Sequence, residues 1–206
     1  MSSLPSSSHA LLASLRAAFS GRMVSDPAGM APWLRDYRQR WGGPALAVVQ
    51  PDSTADVAAV VRWCVEHDAV VVPQGGNTGL TGASVPLGVP LSTLPSGAPP
   101  ASADKAPSDA PDPSQARTTG GADVQPRPVI LLSLSRMQQV RSVDALASTM
   151  VVEAGCTLQA AQEAAAAHGR LFPLSLASEG SCTIGGNLAT NAGGVQVLRY
   201  GNMREL

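Results

Sequence analysis

The chain has 206 residues, a formal net charge of -1 and 44% hydrophobic residues, which suits one domain of ordinary size with a real core. The sequence contains no block of basic residues that would indicate a nucleic-acid partner. No apolar run in it approaches the roughly 20 residues of a membrane span. The three cysteines, Cys64, Cys156 and Cys182, are far apart, which argues against a disulfide framework or a zinc site.

The first 44 residues predict a helical segment. "HALLASLRAAF" (9–19) predicts a first helix preceded by serines, and "APWLRDYRQRW" (31–41) predicts a second short helix entered through Pro32. The opening stretch contains Ser and Arg but no acidic residue, which weakly resembles a transit peptide, while no secretory signal pattern is present. We therefore expect a cytoplasmic protein, with the mitochondrial matrix as the alternative.

The next segment predicts a β-α-β unit. "LAVVQ" (46–50) and "AVVV" (69–72) predict strands, and "STADVAAVVRWCVEH" (53–67) predicts a helix between them. Ser53 is the expected N-cap, with Asp56 at capping-box spacing. Such a unit requires parallel strands and a right-handed crossover. The helix is expected to bury one apolar stripe, formed by Val57, Val60, Val61, Cys64 and Val65.

The rest of the chain begins with a change in composition. Residues 87–128 are rich in Pro, Ala, Ser, Asp and Gly without apolar periodicity, which predicts a disordered surface insertion. After it, a helix is expected in "TLQAAQEAAAAHG" (157–169), ended by Gly169. Three further strands are expected, in "VILLSL" (129–134), "QQVRSVD" (138–144) and "TMVVEAG" (149–155).

Two glycine-rich stretches stand out, "PQGGNTGLTG" (73–82) and "ASEGSCTIGGNLATNAGG" (177–194). Glycines after a strand let backbone N–H groups converge on a phosphate. The spacing in the first stretch is not the GxGxxG of dinucleotide-binding folds. The second lacks the Lys and Ser/Thr of an NTPase phosphate loop. The glycines either form turns with positive φ or approach a large polar ligand, and two loops that also carry Asn, Thr and Ser favour a ligand.

The two stretches together resemble a known family. "VVPQGGNTGLTGASVP" and "PLSLASEGSCTIGGNLATNAGGVQVLRYGNMREL", in this order with "VILLSLSRM" between them, are similar to FAD-linked oxidases and dehydrogenases of the vanillyl-alcohol oxidase type. The chain looks most like the branch of D-2-hydroxyglutarate dehydrogenase, D-lactate dehydrogenase and the glycolate oxidase FAD subunit.

That resemblance implies an α+β, two-lobed PCMH-type FAD-binding domain at residues 45–206, incomplete at its C-terminus and without its cap domain. The first lobe would be 45–86, and residues 129–206 would begin the second. Before them, residues 1–44 would form an N-terminal helical segment.

The resemblance also implies a cofactor site. The first glycine loop would wrap the FAD pyrophosphate, and the second, from 177 onwards, would line the cofactor nearer the flavin ring. Relatives that hold FAD covalently use a His where this chain has Asn77, so non-covalent FAD is implied. The implied cofactor-binding residues are Pro73, Gln74, Gly75, Gly76, Asn77, Thr78, Gly79, Ser178, Gly180, Ser181, Cys182, Thr183, Gly186, Asn187, Thr190, Asn191 and Gly193.

Several side chains near these stretches leave two interpretations open. Cys182 either packs beside the cofactor as a small residue or acts as a redox thiol. Arg199 is either structural or binds a phosphate or a substrate carboxylate. His67 and His168 are expected at helix ends, and Glu153 is expected to end a strand.

The family oxidises 2-hydroxy acids: a base takes the hydroxyl proton while hydride passes to the flavin. The resemblance implies that this chain is the N-terminal FAD-binding portion of an oxidoreductase for D-2-hydroxyglutarate or D-lactate, inactive by itself. The catalytic base and any metal ligands would lie in a later part, so no catalytic or metal-binding residue is named, and the electron acceptor stays open. One alternative is a non-catalytic FAD-binding or assembly subunit that needs a partner chain. Another is a flavoenzyme that uses NADPH.

Overall fold

The computed structural model describes residues 6–87 and 127–206, and residues 6–87 and 128–206 belong to one compact unit with mixed helix and sheet. Of the predicted insertion, residues 88–126 lie outside the described part. The helices are α1 Ser6–Ala18, α2 Pro27–Met30, α3 Thr54–Glu66, α4 Leu158–Ala167, α5 Ile184–Ala189 and α6 Val197–Tyr200, followed by a 3-10 helix at Met203–Glu205. The strands are β1 Arg22–Val24, β2 Ala47–Gln50, β3 Val70–Gln74, β4 Val129–Ser133, β5 Val140–Asp144 and β6 Thr149–Val152.

The larger sheet has four strands in the order β1-β2-β4-β3. Both β2 and β3 pair in parallel with β4, which confirms the predicted parallel direction of β2 and β3, with β4 lying between them. The strand β4 comes from the predicted start of lobe two, whose boundaries stay a prediction. Because the three strands are parallel, their carboxyl ends meet at one edge of the sheet, where Gln50, Gln74 and Ser133 are buried.

Each face of this sheet has its own apolar layer. On one face Val49 and Ile130 pack with Leu15 of α1 and Val60 of α3. On the other face Val48 and Leu131 pack with Met30 and partly buried neighbours from the segment 24–34. Strands covered on both faces bury nearly every side chain, which explains why β2 and β4 read as continuous Val, Ile and Leu runs.

The helix α3 begins as predicted, but its buried face differs. The Ser53 side chain accepts a hydrogen bond from the Asp56 N–H at 3.1 Å, as expected of the N-cap. The predicted stripe is wrong at Val61 and Val65, which are 40% and 78% exposed, whereas Trp63 is only 3% exposed. The Trp63 ring turns to α1, where its Nε1–H donates to Ser14 Oγ at 3.0 Å. Packing against α1 therefore rotates the buried face away from the most apolar side of the helix.

The second predicted helix, at 31–41, is wrong. Only α2 is helical in this region, and it starts earlier, capped by Asp26, whose carboxylate accepts the Gly29 N–H at 2.6 Å. Further on, the Asp36 carboxylate accepts the Trp41 N–H at 2.7 Å, and Gln39 has a φ of 57°. Because side-chain acceptors and a left-handed residue compete with the helical pattern, the segment folds as successive turns. The three-residue strand β1 gave no pattern in the sequence and was missed.

The remaining elements form a second core around the hairpin of β5 and β6. The helix α4 confirms the prediction for 157–169: Thr157 caps it, and Gly169 follows its end with a φ of 67°. Glu153 follows β6 directly, as expected. The buried members of this core are Cys156, Leu158, Ala161, Leu174, Cys182, Ile184 and Met203. Within residues 6–87 and 127–206, no helix combines the length and the apolar character needed to cross a membrane.

Candidate functional site

The first glycine loop starts where β3 ends. Pro73 and Gln74 are the last residues of β3 and pair with Leu132 and Ser133 of β4. The Gln74 side chain is buried and its Nε2 donates to the carbonyl oxygens of Trp33 and Ser84, both at 2.9 Å. This glutamine thus fixes the base of the loop to the chain on either side, which leaves its amide nitrogen no hydrogen for a ligand.

Asn77 occupies the left-handed region, with a φ of 52°. Its Nδ2 donates to the Arg35 carbonyl oxygen at 2.8 Å, and its Oδ1 accepts from Ser84 Oγ at 2.8 Å. The backbone N–H groups of residues 75–79 find no acceptor among the described residues. The loop therefore holds itself by side chains and leaves a row of backbone donors for an outside acceptor.

The two glycine loops meet. A Cβ at Gly76 would overlap the Ser181 carbonyl oxygen and lie 2.9 Å from the Ser181 carbonyl carbon. A Cβ at Gly75 would overlap Thr183 Oγ1 and lie 3.7 Å from the Gly186 nitrogen. Only glycine allows this approach, because any side chain would meet backbone or the threonine hydroxyl. The structure thus brings together residues that are more than 100 positions apart in the sequence.

Thr183 is the most informative polar residue at this contact. It is 5% exposed, and its Oγ1 is buried with no hydrogen-bond partner in the described structure. It precedes α5, yet its side chain makes no capping hydrogen bond. A buried hydroxyl without a partner costs about 1–3 kcal/mol, so such groups cluster where a ligand or water supplies the missing bond.

The second loop is internally braced. The Ser178 carbonyl oxygen accepts the N–H groups of Ser181 and Cys182 at 2.8 and 2.7 Å. Asn187 is buried and its Nδ2 donates to Cys182 Sγ at 3.5 Å. Cys182 itself packs in the second core, which supports the packing interpretation over a redox thiol. A Cβ at Gly180 would lie 3.2 Å from Gln159 Oε1, so α4 borders this loop.

Other predicted site residues lie around the end of α5. Thr190 Oγ1 donates to the Gly186 carbonyl oxygen at 2.9 Å. Asn191 Oδ1 accepts the Arg204 N–H at 3.0 Å, and a Cβ at Gly193 would lie 2.8 Å from Asn202 Oδ1. These contacts tie α5 to the segment at 202–204.

Sequence reasoning missed one part of the site, the segment 33–42. This segment accepts hydrogen bonds from the side chains of Gln74 and Asn77. It also places Trp41 against Gly82, since a Cβ added at Gly82 would lie 2.8 Å from the Trp41 Cβ. Asp36 holds the segment together: the hydrogen bond from the Trp41 N–H, the largest effect, lowers the pKa of its carboxyl. The sequence signal for this segment is the run "RDYRQRW" itself, whose pattern predicts a helix.

The described residues offer few chemically reactive groups. Burial raises the pKa of the Cys64 thiol to about 11 and also raises the pKa of Cys156. Within the described ranges, no group of three or more His, Cys, Asp or Glu side chains is placed to hold a metal ion. What the arrangement provides is a set of backbone donors and a buried hydroxyl without a partner in the described structure, which is chemistry for binding.

Known proteins have sequences similar to this chain. The chain is 35% identical over 184 residues to D-2-hydroxyglutarate dehydrogenase of Xanthomonas citri pv. viticola, a match that covers 89% of this chain and 31% of that protein. It is 34% identical over 197 residues to the mitochondrial D-2-hydroxyglutarate dehydrogenase of Bos taurus, covering 94% of this chain and 28% of that protein. The chain therefore spans about 30% of the length of these curated relatives.

Solved structures agree on the fold. Alkyldihydroxyacetonephosphate synthase superposes with a TM-score of 0.71 at 18% identity, over 100% of this chain and 34% of that one. A 6-hydroxy-D-nicotine oxidase from Arthrobacter nicotinovorans superposes with a TM-score of 0.62 at 15% identity, over 91% of this chain and 32% of that one. At these identities the likeness shows a shared fold.

A family model described as "FAD binding domain" matches residues 45–95 and 114–206, most of the chain. The gap between the two matched ranges falls inside the predicted insertion, and both glycine loops fall inside the match. With the relatives and the shared fold, this match identifies the chain as a member of the FAD-binding domain family.

Proposed function

We propose that this chain supplies the FAD-binding portion of a flavin-dependent oxidoreductase that oxidises a D-2-hydroxy acid. One observation carries the proposal: the two glycine loops of an FAD-binding family meet at a buried, unpartnered Thr183 hydroxyl beside a row of free backbone N–H groups. Backbone donors without protein acceptors suit an anionic ligand.

The residues fit FAD in a specific way. The N–H groups of residues 75–79 would bind pyrophosphate oxygens, and Thr183 Oγ1 would gain the partner that the protein does not give it. When bound, FAD supplies the acceptor for the substrate hydride. The protein's part is to bind and orient the cofactor with backbone donors. The proposed binding residues remain those named from the sequence. The side chains of Gln74 and Asn77 differ from the others in that they hold the loop in its conformation and do not bind FAD themselves.

Non-covalent binding is part of the proposal. The residue after the paired glycines is Asn77, whose amide has no chemistry for a flavin bond and is already engaged with Arg35 and Ser84. Denaturing the protein should therefore release unmodified FAD. Flavin that stays with the denatured polypeptide would contradict this part of the proposal.

The substrate class rests on the relatives. Two proteins at about 35% identity are named D-2-hydroxyglutarate dehydrogenases, and a Saccharomyces cerevisiae relative at 30% identity is named a D-2-hydroxyglutarate–pyruvate transhydrogenase. We therefore place D-2-hydroxyglutarate ahead of D-lactate as the substrate. Those proteins are far longer than the matched region, so their activity is carried here as a proposal.

The test uses the protein purified from its source cells, at whatever length its gene encodes. Under anaerobic conditions, D-2-hydroxyglutarate should bleach the flavin absorbance, and L-2-hydroxyglutarate should leave it unchanged. D-lactate run in parallel ranks the two candidate substrates. A flavoprotein that none of these acids reduces would overturn the substrate proposal and direct attention to an assembly role.

For location we propose the cytoplasm or the mitochondrial matrix. Support for the matrix comes from relatives in Bos taurus and Danio rerio that are named mitochondrial, and from the acid-free, Arg- and Ser-containing first residues. A fluorescent protein fused behind residues 1–44 would separate the two: mitochondrial fluorescence supports the matrix, and diffuse fluorescence supports the cytoplasm.

A further inference from the structure

The segment 33–42 and the first glycine loop border a common cleft. Its volume is about 410 Å³, within the usual range of roughly 300–1,000 Å³ for ligand pockets. Arg35 and Tyr37 line it from one side, and Gly76 and Asn77 line it from the other. The first side lies before residue 45, where the family match begins, so most of the residues that line this cleft lie outside the family match.

The N-terminal side of the cleft carries one arginine, Arg35, and the carboxylate of Asp36 beside it. Three arginines, Arg35, Arg38 and Arg40, stand within six residues and are exposed. The neighbouring carboxylate of Asp36 is buried and accepts the N–H groups of Trp41 and Arg38 at 2.7 and 3.3 Å. None of the three guanidinium groups is ion-paired with a carboxylate in the described ranges. Arg35 therefore presents a guanidinium that no described carboxylate pairs with, next to free backbone donors, while the Asp36 carboxylate is engaged by the backbone of its own segment.

The contact between the segment and the loop shows which of the three arginines lies at the cleft. The Asn77 side chain donates to the backbone carbonyl oxygen of Arg35, at 2.8 Å, so the Arg35 backbone is tied to the glycine loop. Arg38 belongs to the same segment and is not among the residues that line the cleft. Arg35 and Arg38 carry the same charge and are both exposed, but only Arg35 lines the cleft.

We propose that Arg35 is a cofactor-binding residue whose guanidinium binds the same anionic group as the N–H groups of Gly76 and Asn77. The group is a phosphate of the dinucleotide, and the inference rests on the proposed function because that function supplies the ligand. A guanidinium presents paired N–H donors that match phosphate oxygens, and a charged hydrogen bond is about twice as strong as a neutral one. Arg35 would thereby extend the binding site beyond the residues of the family match.

The test measures FAD affinity by flavin fluorescence in the protein expressed from its gene and stripped of cofactor. R35A should weaken FAD binding about 10- to 100-fold, the value of one lost hydrogen bond to a charged group. R35K keeps the positive charge but loses the paired N–H donors of the guanidinium. Its affinity for FAD should lie between those of R35A and the unchanged protein. R38A is the matched control and should change the affinity less than about threefold. Riboflavin, which has no phosphate, should bind R35A as well as it binds the unchanged protein.

The outcomes separate this inference from the proposed function. If the unchanged protein binds FAD and R35A binds it equally well, Arg35 has no role, while the proposed function stands. If R35A and R38A weaken FAD binding equally, general electrostatic attraction replaces the specific contact and the inference fails. If the unchanged protein does not bind FAD, both fail together. Circular dichroism of R35A and R35K shows that the two variants are folded, so that loss of affinity is assigned to the contact.

Discussion

Replacing Gly76 with alanine tests the contact between the two glycine loops. The added Cβ would overlap the Ser181 carbonyl oxygen, and it would lie 2.9 Å from the carbonyl carbon and 3.1 Å from the Cys182 Cα. All three atoms are backbone, so no side chain can rotate away to make room. Overpacking of this kind costs about 1–3 kcal/mol. For a chain of this size, about 2 kcal/mol lowers the melting temperature by roughly 4–8 °C.

A second glycine in the same loop provides the control. A Cβ at Gly79 meets nothing within 4 Å, and Gly79 is not among the residues with positive φ. Gly79→Ala should therefore change the free energy of unfolding by no more than about 0.5–1 kcal/mol, with either sign. Urea unfolding of both variants and of the unchanged chain gives the comparison. If Gly76→Ala and Gly79→Ala unfold at the same urea concentration, the loops are not in contact and the site as described is wrong.

The remaining predictions concern thiols, pH and the loop. Because the cysteines are buried and the pKa of Cys64 is raised to about 11, a thiol reagent at neutral pH should label the chain only after denaturation; rapid labelling would contradict the packing. The Gln139 N–H and then Arg141 hold the pKa of Glu153 below its ordinary value of 4.5, so its stabilisation is complete above that pH and is lost as the pH falls through the lowered pKa. Glu153→Gln should therefore flatten the acid side of the plot of unfolding free energy against pH, and an unchanged slope would refute this role. Asn77→Ala removes the bonds to Arg35 and Ser84 and should destabilise the chain by about 1–3 kcal/mol, whereas an unchanged unfolding midpoint would show that these bonds do not hold the loop.

Local patterns in the sequence predicted much of the fold. The valine runs of β2 and β3, the cap at Ser53 and the glycine after α4 depend on neighbouring residues only, and each appears where it was expected. The order of the strands did not follow from the sequence, because β4 inserts between β2 and β3 after a long intervening segment. Likewise the burial of Trp63 in place of Val61 depends on α1, which packs against that face of α3.

The candidate site, like the fold, could be predicted from the sequence only in part. Glycine spacing located both loops, and the family resemblance connected them to one cofactor. The free hydroxyl of Thr183 could not be predicted, since its state depends on which groups surround it in the folded chain. The contact of the segment 33–42 with the loop could not be predicted for a related reason. Its composition is typical of a helix, but the Asp36 carboxylate accepts backbone N–H groups of the same segment, which favours turns.

Hydrogen–deuterium exchange with and without FAD tests the central claim most directly, on the protein expressed from its own gene. The amide groups of residues 75–79 have no acceptor among the described residues, so they should exchange quickly without FAD. If the two loops form one FAD site, adding FAD should slow exchange in residues 75–79 and in the peptide that contains Thr183, while the exposed surface of α4 stays unchanged. Bound FAD that leaves the exchange of both loops unaltered would contradict the claim.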